Sequence, residues 1–288
     1  MSILKTENLT YLYSKGTPFE VAALKNVNLD IEEGELVAVI GHTGSGKSTL
    51  IQHFNGLLKP TEGKIIVDGK DIWESKASLR EARFKVGLCF QYPEYQLFEE
   101  TAYKDIAFGP RNMGLSDEEI DKAVHRAAEF TGVTEEMLKR SPFDLSGGEK
   151  RRVAIAGVMA MSPKILILDE PTSGLDPHGR DTILKLIRDY REETGSTVMI
   201  VSHSMEDVAK IASKVLVMSK AEVLSYDTVP GTFKDPDRLL SVGLDVPEIT
   251  KIFMNLRDRG IPIRTDIYTL DKGVEELQKL RKEGVKFD

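Results

Sequence analysis

Residues 41–48, GHTGSGKS, constrain the fold of this chain more than any other segment, because they match the phosphate-loop pattern G-x-x-x-x-G-K-[ST]. The apolar run 35–40 is typical of a strand, and residues 47–58 are typical of a helix. Loop glycines let backbone N–H groups point inward at phosphate, and the helix N-terminus adds its dipole. A glycine-rich turn that binds nothing is the alternative, and the strand, loop and helix order argues against it. We therefore expect nucleotide phosphates to bind here, at Gly41, His42, Thr43, Gly44, Ser45, Gly46, Lys47, Ser48 and Thr49.

A second apolar run, residues 164–168, is followed by two acids, Asp169 and Glu170. A strand there carries both carboxylates to the edge of the sheet where the phosphate loop lies. We expect Lys47 to reach the β- and γ-phosphates, while Ser48 and Asp169 hold Mg²⁺. We expect Glu170 to polarise the water that attacks the γ-phosphate. Two merely solvated acids are the alternative, which the presence of a phosphate loop disfavours.

Strand-like and helix-like segments alternate along most of the chain, which predicts an α/β fold with a largely parallel sheet. Residues 2–40 are typical of strands, and residues 215–218 are predicted to be the last strand. After about residue 229 the pattern changes to short elements punctuated by Pro and Gly. Two amphipathic helices are predicted there, at 248–260 and 271–284.

The composition limits the classes of function that remain. The chain has 39 Lys and Arg against 46 Asp and Glu, and its net charge of −7 argues against a broad basic surface for nucleic acid. Its apolar runs are far shorter than the roughly 20 residues that span a bilayer. We expect no secretion signal at the N-terminus. The single cysteine, Cys89, cannot form an internal disulfide, which fits a reducing cytosol, and it is predicted to lie in the core.

Residues 145–149, LSGGE, resemble the signature motif of ABC-type ATPases and lie, as in that family, between the phosphate loop and the acidic strand. A serine and two glycines at the start of a helix form a second anion-binding N-terminus. The resemblance implies that Ser146, Gly147 and Gly148 face the γ-phosphate of an ATP bound by the other subunit of a dimer. Glu149 departs from the commoner glutamine but leaves the serine and glycine geometry unchanged. A simple helix cap is the alternative.

Further residues occur in the order typical of ABC-type ATPases. Gln91 resembles the glutamine that senses the γ-phosphate and Mg²⁺, and His203 resembles the switch histidine. Asp176, in the sequence SGLD, resembles the loop that crosses the dimer interface. Tyr13 resembles the aromatic residue that stacks on adenine. Tyr11 on the same strand is the competing candidate, and we favour Tyr13 because stacking needs an exposed ring.

A narrower resemblance, to the ATPases of energy-coupling factor (ECF) transporters, lies around Gln91. It rests on residues 90–98, FQYPEYQLF, and on residues 105–110, DIAFGP. Residues 151–158, RRVAIAGV, resemble the second of the two ATPase types in that family. The resemblance implies a subunit that binds and hydrolyses ATP to power uptake of vitamins or other micronutrients. It places the chain peripherally at the cytoplasmic face of the cell membrane, and the transported substrate is set by a separate membrane subunit.

The resemblance also implies an architecture and a set of partners. We expect a P-loop α/β core with an antiparallel β subdomain, an inserted helical subdomain at about 91–160 and a small C-terminal α+β domain. Residues 1–229 would form the ATPase domain, and residues 230–288 a dimerisation domain. The expected ligands are ATP and Mg²⁺. The expected partners are a second, related but non-identical ATPase, a transmembrane coupling protein and a substrate-binding membrane subunit, with no nucleic acid.

The segment from residue 92 to residue 108 is rich in aromatic side chains, and it follows the glutamine that the resemblance places at the nucleotide. We expect it to dock short cytoplasmic helices of the coupling protein, because exposed aromatic residues anchor partner helices. The alternative is that the rings form the core of the helical subdomain. The aromatic residues are Tyr92, Tyr95, Phe98, Tyr103 and Phe108.

Three other functions compete with this interpretation. Soluble ABC ATPases that act on ribosomes or DNA usually carry two ATPase units or a long coiled coil, and this sequence contains neither. A regulatory subunit that does not hydrolyse ATP is disfavoured by Glu170 and His203. An exporter, or another kind of ABC importer, is disfavoured less decisively by the match over residues 91–110.

Overall fold

The structure, a computed structural model, describes residues 1–283 and contains two sheets flanked by helices. In chain order, the strands are β1 (Ser2–Tyr13), β2 (Val21–Glu32), β3 (Leu36–Gly41), β4 (Glu62–Val67), β5 (Lys70–Asp71), β6 (Val86–Cys89), β7 (Ile165–Asp169), β8 (Thr197–Val201), β9 (Lys214–Ser219) and β10 (Glu222–Thr228). The α-helices are α1 (Lys47–Phe54), α2 (Lys76–Lys85), α3 (Ala102–Met113), α4 (Asp117–Thr131), α5 (Glu135–Lys139), α6 (Gly147–Met159), α7 (Pro177–Thr194), α8 (Met205–Ile211), α9 (Val229–Phe233), α10 (Pro236–Ser241), α11 (Glu248–Asp258) and α12 (Leu270–Lys282). Short 3₁₀ helices occupy Pro93–Gln96 and Pro142–Asp144.

The central sheet has the strand order β10-β9-β3-β8-β7-β6. Strand β3 pairs in parallel with β8 and β9, and β7 pairs in parallel with β6 and β8. Strands β3 and β8 are buried along their whole length, as expected for parallel strands that are covered on both faces. The predicted α/β class is confirmed. Because parallel strands end at one edge of a sheet, the residues that follow β3, β7 and β8 converge there.

The second sheet is antiparallel and has the strand order β2-β1-β4-β5. Its inner face packs on the central sheet in one apolar cluster, to which Leu4, Leu24 and Val39 contribute. Leu50 and Phe54 of α1 are fully buried in the same cluster. The helix that follows the phosphate loop is therefore anchored between the two sheets.

Helices α3 to α6 lie between β6 and β7 in the chain, inside the range in which helices were predicted. Helix α4 begins with a capping box, in which Ser116 and Glu119 each accept a hydrogen bond from the other's backbone N–H. Val124 and Val153 pack in one cluster with Leu168 of the central sheet. The helical insertion is therefore packed against the sheet through a continuous apolar core.

The C-terminal segment is helical within the described residues. Helices α11 and α12 approach closely at Gly273, where an added Cβ would lie 2.8 Å from Ile249. Residues 230–283 contain no strand, which differs from the predicted α+β domain. Pro262 lacks a donor for a strand ladder, and the nearby chain is held instead by Thr250, whose hydroxyl donates to the Ile267 carbonyl at 2.5 Å. Residues 284–288 of the predicted domain lie outside the described residues.

Two elements differ from the sequence analysis. Residues 215–218 lie in β9 as predicted, but they are not the last strand, because β10 returns antiparallel beside it. In the turn between β9 and β10, Lys220 and Ala221 have positive φ (50° and 69°). Because glycine usually occupies such positions, the sequence carries no signal for this turn. Helix α2 was not predicted, because Ala82 is its only buried residue and its apolar periodicity is weak.

His53 is buried in α1 below the phosphate loop. Its Nδ1 lies 2.7 Å from the Thr49 carbonyl oxygen, and its Nε2 has no hydrogen-bond partner among the described residues. Its ring packs edge-on against Tyr11, with 4.7 Å between the ring centroids. Burial lowers the pKa of His53, so the folded chain holds a neutral imidazole where the unfolded chain takes up a proton near pH 6.5.

We expect the free energy of unfolding to fall as the pH drops below about 6.5, because the unfolded state then binds more protons than the folded state. His53 contributes up to about 1.4 kcal/mol per pH unit until the folded imidazole is also protonated. Urea unfolding at pH 5.0, 6.0 and 7.5 measures this slope. His53→Gln should reduce it, whereas the exposed-site control His178→Gln should leave it unchanged. An equal slope in His53→Gln and wild type would contradict this account.

Candidate functional site

The loop between β3 and α1 is shaped by glycines. Gly41 ends β3, and a Cβ added there would lie 2.5 Å from both the Met218 carbonyl oxygen and the Ser45 hydroxyl oxygen. At Gly46, φ is +104° and an added Cβ would lie 2.4 Å from the Ala23 carbonyl oxygen. Side chains at these positions would displace the loop from the sheet. The loop consequently keeps a tight curve that leads directly into the N-terminus of α1, where unpaired N–H groups attract anions.

Lys47 folds back over this loop. Its Nζ donates to the carbonyl oxygen of Gly41 at 2.6 Å and to that of His42 at 3.2 Å. Burial lowers its pKa, and the charges of Glu170 and Asp169 act in the opposite direction. The side chain thus holds its ammonium group over the concave side of the loop, where it can meet a phosphate.

The acids at the end of β7 concentrate negative charge beside Lys47. Asp169 is the last residue of β7, and Glu170 follows it. The pKa of Asp169 is raised to about 6, first by burial and then by the charge of Glu170, while Lys47 and the Ser48 hydroxyl act to lower it. A cation near Asp169 would relieve this repulsion. The carboxylate of Asp169 and the hydroxyl of Ser48 are hard oxygen donors, which fit Mg²⁺.

Glu170 is the point at which three strand ends meet. Its Oε2 accepts a hydrogen bond from Gln91 Nε2 at 2.9 Å, and its Oε1 lies 3.2 Å from His203 Nε2. Its φ of 49° is in the left-handed region, which is uncommon for a residue other than glycine. Such local strain is frequent where a side chain must point in a required direction. Three of the predicted site residues, Gln91, Glu170 and His203, are therefore brought into direct contact.

The residues of the LSGG sequence lie at a different place. Ser146 caps α6, and Glu149 completes a capping box by accepting from the Ser146 N–H at 2.7 Å. Gly147 and Gly148 are exposed, and an added Cβ at either would meet no atom within 4 Å. Within residues 1–283, the hydrogen bonds of Ser146 remain local. The structure does not bring this helix terminus into contact with the group around Lys47.

Asp176 is likewise separate from the group around Lys47. It is exposed and caps α7 by accepting a hydrogen bond from the Gly179 N–H at 2.7 Å. Its side chain makes local contacts only, as far as the structure describes the chain. Like the LSGG residues, Asp176 is open to a second molecule.

The two tyrosines near the end of β1 have different surroundings. Tyr13 is 41% exposed, and its hydroxyl lies 3.3 Å from that of Thr49 in α1. Tyr11 is partly buried between Tyr13 and His53. The exposed ring beside α1 is the one that a base could stack on. The structure thus favours Tyr13 over Tyr11 on accessibility.

Two ion pairs with at least one buried partner were missed by the sequence analysis. Asp207 accepts from Arg180 Nε at 2.6 Å and from the Thr172 hydroxyl at 2.9 Å. Arg151 pairs with Glu94 across α6 and the 3₁₀ helix at Pro93–Gln96. The partners are far apart in sequence, so spacing gives no signal for them. Arg151 lies in the charged run 149–152 at the start of α6, so the sequence does not mark it as the one buried side chain of that run.

Comparisons with known proteins identify the family. The pattern of the ABC transporter family matches residues 24–173. Among solved structures, an ATP-binding cassette determined as a dimer with ADP and Pi aligns with a TM-score of 0.71 and 32% identity, covering 79% of this chain and 99% of that chain. This chain belongs to the ABC transporter family of ATPases.

Closer relatives narrow the family further. The ECF transporter ATP-binding protein EcfA2 of Clostridium perfringens is 56% identical over 278 residues, covering 96% of this chain and 98% of the relative. The EcfA2 protein of Clostridioides difficile is 50% identical over 282 residues, covering 97% and 98%. The structure of cbiO1 from Clostridium perfringens, part of the ABC transporter complex cbiONQ, aligns with a TM-score of 0.74 and 40% identity over 90% of this chain and 97% of that chain. Within the ABC family, the chain is one of the ECF transporter ATP-binding proteins, as the sequence resemblance predicted.

We expect Glu170→Gln to keep ATP affinity and to lose at least about a hundredfold in hydrolysis rate, because an amide cannot act as the carboxylate base. The variant should also accumulate an ATP-stabilised dimer, since bound ATP is no longer cleaved. Phosphate release and size-exclusion chromatography with MgATP measure the two effects. The matched control is Glu192→Gln on the exposed face of α7. Normal turnover with an unchanged elution volume would refute this role of Glu170.

Proposed function

We propose that this chain binds ATP with Mg²⁺ and hydrolyses it as the ATP-binding subunit of an ECF importer, and so powers uptake of vitamins or other micronutrients through separate membrane subunits. The observation that carries the proposal is the contact of Gln91 and His203 with Glu170 beside the phosphate loop. Relatives named for ECF transporters, at 50–56% identity over nearly the whole chain, support the assignment of the transporter type.

In the proposed reaction, the loop N–H groups and Lys47 hold the β- and γ-phosphates, and Tyr13 stacks on adenine. Ser48, Asp169 and Gln91 would hold Mg²⁺, which neutralises charge on the transferred phosphoryl group. Glu170 orients the attacking water and accepts a proton from it as the general base. His203 keeps the Glu170 carboxylate in place from the opposite side, at 3.2 Å.

The exposed LSGG residues support a dimer. Each chain has one phosphate loop and one LSGG sequence, and in one chain these do not meet. A second ATPase would bring its own Ser146-like terminus to the ATP held here, while Ser146, Gly147, Gly148 and Asp176 of this chain serve the other site. We propose that the second chain is related but not identical. Purification of the chain from its native membrane followed by mass identification tests this, and recovery of only its own copies would refute the heterodimer.

The aromatic segment supports a docking surface for the coupling protein. Tyr95 is 84% exposed and Phe98 is 59% exposed, and Tyr92 and Phe108 are also exposed. The rings of Phe98 and Phe108 meet edge-on, with 5.1 Å between centroids. They border a groove of about 250 Å³ whose floor includes side chains of α6. Tyr103 differs, because it packs partly buried on the helical core, and the core interpretation therefore holds for that ring.

We expect Tyr95→Glu and Phe98→Glu to weaken co-purification with the coupling protein and to lower substrate uptake per ATP hydrolysed, because a carboxylate would have to be desolvated in an apolar contact. Uptake into vesicles that contain the whole complex measures the ratio. The matched control is Phe19→Glu, at an 81% exposed ring in the β1–β2 connection. Normal assembly and uptake by both variants would place the docking surface elsewhere.

The C-terminal helices support a role in dimerisation. Ile252 is 51% exposed and Leu270 is 69% exposed, and both border an apolar groove between α8 and α11. Phe233 and Met254, in contrast, belong to the same core as the central sheet. Removal of residues 230–288 would therefore also open that core, and variants of the exposed face are the sharper test.

We expect the double variant Ile252→Glu, Leu270→Glu to weaken association with the second ATPase at least about tenfold without ATP, because apolar area leaves the interface and charge enters it. ATP affinity of the single chain should not change. Sedimentation equilibrium and nucleotide titration measure the two quantities. Phe19→Glu serves again as the control. Association equal to that of wild type would contradict the dimerisation role.

A further inference from the structure

Arg151 holds together segments that are distant in the sequence. Its side chain is 6% exposed, and that of its partner Glu94 is 15% exposed. The guanidinium grips the carboxylate with two bonds, Nε to Oε2 at 3.2 Å and Nη2 to Oε1 at 2.9 Å. Its Nη1 donates to the carbonyl oxygens of Ser173 at 2.6 Å and Pro171 at 3.4 Å.

These contacts join three functional segments. Glu94 lies in the 3₁₀ helix that follows Gln91 and begins the aromatic segment. Arg151 itself lies on α6, the helix that the LSGG sequence starts. Pro171 and Ser173 lie on the short loop between Glu170 and Asp176. One buried guanidinium therefore contacts both the start of the proposed docking segment, at Glu94, and the loop between Glu170 and Asp176.

The geometry of the contact requires an arginine. A planar guanidinium presents a fork to a carboxylate and keeps a further N–H for backbone carbonyls, which a lysine ammonium cannot do from one position. Burial of both charges costs desolvation energy, so the pair is weak evidence for stability, and removal of one partner would leave the other charge buried without compensation. On its other side, the same loop is fixed by the hydrogen bond from the Thr172 hydroxyl to Asp207. Asp207 also accepts from Arg180, and neither residue belongs to the docking segment.

We propose that Arg151 is a positioning residue that couples the docking segment to the 171–176 loop through Glu94. When a membrane partner displaces the docking segment, the displacement passes through Glu94 and Arg151. Glu170, Asp176 and the start of α6 then move together. The coupling role rests on the proposed docking surface, whereas the mechanical link between Glu94 and the loop does not.

Hydrogen exchange of the purified chain tests the link itself. We expect Glu94→Gln to raise the exchange rates of the amides in residues 172–176 about tenfold, although Glu94 does not touch them, because Arg151 loses its anchor. Lys104→Gln is the matched control, since it breaks the exposed ion pair with Glu100 in the same part of the chain. Unchanged exchange in 172–176 for Glu94→Gln, with Arg151→Gln raising it, would overturn the link.

A double-mutant cycle in the reconstituted complex tests the coupling. Arg151→Gln and Glu94→Gln should each lower uptake per ATP at least about threefold, and the double variant should be no worse than either. Arg151→Lys, which is the gentler change for folding, should show the same loss. Arg180→Gln, which loosens the loop from its other side, should slow hydrolysis and leave uptake per ATP unchanged. Multiplying losses in the double variant, or full coupling in Arg151→Lys, would overturn the proposal.

Failure of this proposal is separable from failure of the docking surface. If Tyr95→Glu and Phe98→Glu assemble and transport normally, the docking surface is wrong, and the exchange experiment still decides on the link. If those variants uncouple transport while the cycle at Arg151 and Glu94 is additive, the docking surface stands and the coupling role of Arg151 is refuted.

Discussion

The parallel register of β3, β7 and β8 is the constraint on which the site depends. Val39 of β3 lies opposite Val201 of β8, and Asp169 of β7 lies opposite the same residue. The three strands therefore end at one level, and the residues that follow them meet at one edge of the sheet. A shift of one residue in any pairing would turn the strand's side chains to the opposite face. Burial of these strands on both faces makes such a shift costly, which keeps Glu170 and His203 within contact distance.

At that edge of the sheet, the carboxylates outnumber the ammonium group beside them. Among the described residues, the ammonium that acts on Asp169 and Glu170 is that of Lys47, and burial disfavours the charged form of both Lys47 and Asp169. A polyanion alone would add repulsion to the acids, and a cation alone would repel Lys47. A nucleotide bound with Mg²⁺, as proposed above, would supply both signs at once, with phosphate near Lys47 and the cation near Asp169. The charge arrangement is thus matched to the pair rather than to either ligand.

Features of the candidate site that depend on short sequence motifs could be predicted, and features that depend on residues distant in the sequence could not. The phosphate loop, the acids at the end of β7 and the LSGG sequence are short motifs, and the structure places them, as expected, between a strand and a helix, at a strand end and at a helix start. The sequence analysis did not predict strand β10 or helix α2. Strand β10 follows a turn without glycine, and α2 has a single buried residue. The pair of Arg151 with Glu94 escaped for a different reason. It joins residues 57 positions apart, and only the folded chain brings them together.

The surfaces left open by one chain are all reached through the same few backbone segments. The aromatic side chains begin one residue after Gln91, and the LSGG helix carries Arg151 in its first turns. Asp176 ends the loop that starts at Glu170. Seating a partner on any one of these surfaces therefore constrains segments that also hold the others, since buried packing transmits displacement rather than absorbing it. Under the proposed function, the chain would respond to a membrane partner and to a second ATPase through these segments, because the Glu170 carboxylate lies where they meet.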